Sequence, residues 1–218
     1  MTHIYLTPNW FFFYSILFEI AFALITAFVS FYSFKIYNLT KQKEYKIFGA
    51  GFLFISASYL LWAVINSFLL DKINDGIQAL TLQEFVSIGA VGICIYMFLF
   101  ITGLVTITYT TLKVNNSKIY ALLLIISVIA VAFSLNKALA FQLLSLVFIS
   151  FLILHYFSQF NKNRDSKRFI ILLAFILLFI SRIQFILSTT NYIYYVIGHI
   201  FEFFAYLLVL LRLIFIKK

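Results

Sequence analysis

The chain has 218 residues, 64% of them apolar and only 11% charged, and a mean hydropathy of +1.07. A soluble domain is about 45–50% apolar and about 25% charged, so a water-soluble globule and a disordered chain are both excluded. The net charge of +9 would suggest nucleic acid in a soluble protein, but in an integral membrane protein it marks loops on one side of the bilayer. No nucleic-acid partner is expected; the lipid bilayer is.

Seven stretches, at about 10–37, 47–70, 85–111, 119–135, 138–159, 169–188 and 192–216, approach the roughly 20 apolar residues that a span needs. They predict a single all-α domain over 1–218, a bundle of seven transmembrane helices. Its expected home is the cell membrane. The first stretch follows Pro8, which suits a helix start. No basic n-region or small-residue cleavage site precedes it, so no removable signal peptide is expected. It carries Ser15, Glu19, Ala23, Thr26, Ser30 and Ser33 at steps of three and four, which puts these small or polar residues on one face. That face should point into the bundle.

The second stretch places Ser56, Tyr59, Ala63 and Asn66 at helical spacing, with Asn66 expected to bond a neighbouring helix. The third carries Gly89, Gly92, Tyr96 and Gly103 on a narrow face, expected to be a close-packing seam, and holds Cys94, the lone cysteine. One cysteine excludes an intrachain disulfide. The fourth stretch is the shortest, and Asn136-Lys137 after it is the weakest boundary: fused to the fifth, it would leave six spans. On the fifth, His155 beside Tyr156 is expected to reach the interface.

The sixth stretch carries Arg182, with Gln184 on another face. The seventh carries His199 and Glu202 one turn apart, then Ala205. A charge inside a span costs about 2.5–3.5 kcal/mol on insertion scales. Glu19, Arg182, His199 and Glu202 all fall in the same half of the membrane. In a closed seven-helix ring the first, sixth and seventh helices are neighbours. Arg182 should then pair with Glu202 or Glu19, with His199 and Tyr195 completing the hydrogen bonds. These four residues are the candidate ligand- or proton-binding site. Their alternative role is helix-to-helix glue. No metal and no cofactor are expected, because catalytic zinc usually takes two or three histidines.

Charge fixes the expected orientation. Lys35, Lys41, Lys43, Lys46, Lys113, Lys118, Lys162, Arg164, Lys167, Arg168, Arg212, Lys217 and Lys218 fall on one side. Lys72 and Lys137, with Asp71, Asp75 and Glu84, fall on the other. The positive-inside rule then puts the N-terminus outside and the C-terminus inside. Trp10, Tyr192, Tyr194 and Tyr195 at the outer helix ends read as an aromatic belt.

Short echoes suggest a duplication. Phe28-Val29-Ser30-Phe31 resembles Phe148-Ile149-Ser150-Phe151. Leu53-Phe54-Ile55-Ser56 recurs as Leu178-Phe179-Ile180-Ser181, and Ile88-Gly89 recurs as Ile197-Gly198. Helices one to three and five to seven would be parallel repeats joined by the fourth, a 3+1+3 arrangement.

No hydrolase, metalloprotease or nucleotide-binding motif is present, so no enzyme is expected. The last helix has no mid-span lysine for a retinal Schiff base. The run Phe52-Leu53-Phe54-Ile55-Ser56-Ala57-Ser58-Tyr59-Leu60-Leu61-Trp62 and the segment Gly198-His199-Ile200-Phe201-Glu202 resemble the seven-helix sensory membrane modules of prokaryotic signalling proteins. The resemblance implies a sensory N-out bundle with short loops; the kinase or cyclase domain that such modules usually drive is not found in this sequence, so a separate cytoplasmic partner is expected to carry the signal. A small proton- or ion-linked transporter and a structural or assembly protein without a ligand are the alternatives.

Overall fold

The computed structural model describes residues 9–74, 82–112, 116–164 and 166–214. Expectations placed on Pro8, Asp75, Lys113, Lys217 and Lys218 lie outside the described residues, as do the side chains of Asp71, Lys72, Glu84, Ile88 and Lys167. The described chain forms α1 (Asn9–Thr40), α2 (Lys43–Asn74), α3 (Leu82–Leu112), α4 (Ser117–Ala132), α5 (Lys137–Asn163), α6 (Ser166–Leu187) and α7 (Ile193–Ile214). All but α4 are long and apolar enough to cross a membrane. The protein is therefore a multi-pass, all-helical membrane protein. The 16 residues of α4 rise about 24 Å, short of a hydrocarbon core of about 30 Å.

The weak boundary at Asn136-Lys137 is a true helix break. The Asn136 side chain accepts from the Leu139 amide at 3.0 Å, which caps α5. Asn116 caps α4 in the same way, accepting from the Lys118 amide at 3.0 Å. Each cap satisfies a backbone donor that a helix start leaves orphaned.

The ring differs from the expected one. Contacts run α1–α2–α3–α5–α6–α7 and back to α1, closing with six helices, and α4 packs against α3 and α5. The reason is burial. Only Ser127 and Val131 of α4 are buried, while Leu122, Ile125, Ile126 and Ile129 are exposed. A helix apolar on nearly every face has no polar surface to hide and is content against lipid.

α4 still returns the chain along the bundle. Tyr120, near its start, bonds Thr106 near the end of α3 at 3.1 Å. Phe141, near the start of α5, packs on Tyr96 and Phe100, about 9–15 Å further back along α3. Thus α1, α3, α5 and α7 run one way and α2, α4 and α6 the other. Lys35, Lys41, Lys43, Lys46, Lys118, Lys162, Arg164, Arg168 and Arg212 all gather at one end of the bundle.

The bundle is apolar outside and mixed inside. The α1 stripe Ser15, Glu19, Ala23, Thr26, Ser30 and Ser33 is buried throughout, while Phe13, Leu17, Leu24, Phe28 and Phe31 face outward. In lipid the apolar outside is the solvated side, so the polar face turns inward. Two serines join α1 to α2: Ser30 donates to the Gly49 carbonyl and Ser56 to the Ala23 carbonyl, each at 2.8 Å. Glycines bring α2 and α3 close. A Cβ on Gly103 would lie 2.7 Å from the Gly51 carbonyl oxygen, and one on Gly92 would overlap Ile65. Gly89, expected in this seam, instead faces open space.

Candidate functional site

All six helices of the ring deliver ionisable or hydrogen-bonding side chains to one level of the bundle, toward the end opposite the basic one, with Tyr96 coming from α3. α1 brings Glu19, α2 brings Tyr59, Trp62 and Asn66, and α5 brings Gln142. α6 brings Arg182, and α7 brings His199, Glu202 and Tyr206. Glu19, Arg182 and Glu202 are each 1% exposed, so every charge must be answered by a protein group.

Arg182 forms a salt bridge with Glu202. Tyr59 donates to the same carboxylate oxygen, Oε1, and Tyr206 donates to it at 3.3 Å. The two phenol oxygens lie 3.1 Å apart, and Arg182 Nη2 lies 3.3 Å from the Tyr59 hydroxyl. The guanidinium also sits over the Phe100 ring, 4.6 Å from its centroid, with Phe185 at 5.3 Å. Cation–π attraction of this kind is strongest where water is excluded. Helix geometry explains the group: Glu202 and Tyr206 are one turn apart on the buried face of α7, which also holds Gly198, His199, Ala205 and Val209.

Glu19 takes a different partner. The Asn66 amide nitrogen donates to both of its carboxylate oxygens, each at 3.0 Å, so Asn66 does bond a neighbouring helix. Of the two acids offered to Arg182, the structure selects Glu202.

His199 stands in an aromatic cage. Phe18 and Phe22 stack on its ring at 5.9 and 5.7 Å, and Phe11 lies tilted at 5.8 Å. Tyr195 and Phe185 meet it edge-on at 4.5 and 5.1 Å. Neither ring nitrogen has a hydrogen-bond partner among the described residues. His199 therefore does not complete the hydrogen bonds of the Arg182 pair; Tyr59 and Tyr206 do, because the imidazole is held by its faces away from them.

A cavity of about 70 Å³ lies among these groups, lined by Glu19, Tyr59, Trp62, Tyr96, Gln142, Arg182, Phe185, Tyr195, His199 and Glu202. At about 10–15 Å³ for each water it has room for a few. Besides the His199 nitrogens, Arg182 Nε and Gln142 Oε1 have no partner among the described residues. Unanswered buried donors and acceptors around one space call for a partner such as ordered water.

The four predicted residues thus line one cavity. Tyr59, Tyr206, Trp62 and Gln142 belong with them and were not assigned to the site from sequence. The signal for Tyr206 is its i+4 spacing from Glu202, and for Gln142 its isolation in an apolar run. Outside the site, His155 Nε2 lies 2.6 Å from Gln159 Nε2, and Gln184 is half-buried and does not line the cavity. No group of three or more His, Cys, Asp or Glu suited to a metal ion occurs among the described residues. No protein-family model matches the chain, and neither curated proteins nor solved structures gave a significant match.

Proposed function

We propose that this protein is a non-enzymatic, receptor-like sensory module of the cell membrane that binds a small ligand or proton in its central cavity. The observation that carries the reading is the convergence of Glu19, Arg182, His199 and Glu202 on one cavity with hydrogen-bonding atoms unanswered. Helix-to-helix glue needs no such space: the Arg182–Glu202 pair would serve it with the cavity closed. The volume suits a solute of a few heavy atoms and excludes a lipid or a polyene chromophore. Continuous helices through α6 and α7 favour a sensor over a carrier, since transporter sites are commonly built at helix breaks.

The basic end of the bundle is the cytoplasmic end in this reading, with the N-terminus outside and all seven helices crossing. A separate cytoplasmic partner would read the signal there. The ring order also supports the 3+1+3 reading: a two-fold along the bundle axis would exchange α1–α2–α3 with α5–α6–α7 and leave α4 outside. Cysteine labelling tests the orientation. With Cys94 replaced, a cysteine at Thr190 should react with an impermeant thiol reagent from outside, and one at Asn163 only after the membrane is opened. The reverse pattern overturns it.

A thermal-shift panel of small cations, anions and neutral solutes on the purified protein tests the binding reading. A ligand at 100 times its Kd adds about 2.7 kcal/mol of stability, a rise of several degrees. No shift with any class, and none across pH, would defeat the proposal. Flux of the stabilising solute through proteoliposomes would make the protein a carrier instead.

A further inference from the structure

We propose that the cavity takes a small organic cation of the ammonium type, with Glu19 as its counter-ion; this rests on the ligand-binding reading above and specifies its chemistry. The argument starts from charge. Two carboxylates and one guanidinium are buried around the cavity, and the guanidinium is committed to Glu202. Glu202 also accepts from Tyr59 and Tyr206. Glu19 is met by a neutral donor, the Asn66 amide, and no cation reaches it among the described residues. With Glu19 ionised, the wall carries one negative charge beyond its positive ones, and a bound cation supplies the opposite charge that favours that form.

The uncharged lining points the same way. Tyr96, Trp62, Tyr195 and Phe185 line the space with aromatic rings, whose faces attract an ammonium and repel a carboxylate. Gln142 Oε1 has no partner among the described residues, and a neutral imidazole at His199, 5% exposed, supplies another acceptor. A donor-rich cation answers both. No group of three or more His, Cys, Asp or Glu suited to a bare metal ion lies here among the described residues.

The chain offers its own reporter. It has two tryptophans: Trp62 lines the cavity and Trp10 is exposed. In a Trp10→Phe background, purified in detergent at fixed pH and ionic strength, methylammonium chloride should change Trp62 emission saturably. Sodium chloride and sodium acetate should not. Glu19→Gln should weaken methylammonium binding about tenfold or more, the worth of a hydrogen bond to a charged group. If Glu19→Gln does not fold, Gln142→Leu takes its place, with an expected loss of about threefold or more from one neutral hydrogen bond. Unchanged affinity in whichever variant folds overturns the proposal. A saturable response to acetate in place of methylammonium also overturns the cation assignment and leaves the ligand-binding reading standing. No saturable response to any solute or to pH removes both.

Discussion

Glu19 and Glu202 are the same side chain at the same level of the same bundle, each 1% exposed, and they are held in opposite ways. Glu202 has a guanidinium and two phenols; Glu19 has the amide of Asn66 on both oxygens. The first is an internally balanced unit. The second is met only by neutral donors, and both acids line the cavity. Burial alone therefore does not tell how an acid is held; its partners do.

The comparison predicts unequal costs. Arg182→Leu or Glu202→Leu strands the opposite charge and should each destabilise by about 3–5 kcal/mol. Glu19→Leu strands a neutral amide and should cost about 1–3 kcal/mol. Detergent denaturation of the three variants ranks them, and equal losses would erase the distinction.

Gly92→Leu tests the support of Glu19. Its side chain would drive into Ile65, next to Asn66, and should cost about 1–3 kcal/mol by overpacking. Ala132→Leu, on the peripheral α4, should stay within about 0.5 kcal/mol. Equal thermal shifts for the two would deny the α2–α3 seam. A smaller effect than that of Gly92→Leu is expected at Tyr206→Phe, which removes one of the three groups on Glu202. A loss of about 0.5–1.5 kcal/mol is expected, and a loss as large as that of Arg182→Leu would show that the phenol, not the guanidinium, holds the acid.

Much of this was legible in the sequence. The α1 stripe could be read because a polar residue every third or fourth position in an apolar helix has only one place to go, the interior. Arg182 could be placed beside one of two acids because a span tolerates a charge only near its opposite. Which acid was not legible: helix rotation decides it, and Glu19 and Glu202 lie at equal depth. The isolation of His199 was equally hidden. Spacing puts its Cα beside Glu202, but packing against Phe18 and Phe22 orients the ring. The peripheral place of α4 was signalled by its shortness and by the near absence of polar residues to bury. The openness at Gly89 was not signalled, since a glycine pattern does not say which glycine meets a neighbour.

The central claim is that Arg182 belongs to Glu202 and leaves Glu19 to the cavity. A double-mutant cycle measures it directly by unfolding Arg182→Leu, Arg182→Leu/Glu202→Leu and Arg182→Leu/Glu19→Leu side by side. Removing both members of a buried pair is often close to neutral, whereas removing one is not. The account predicts that Glu202→Leu recovers most of the stability lost in Arg182→Leu and that Glu19→Leu recovers none. Rescue by Glu19→Leu, with none by Glu202→Leu, would contradict it.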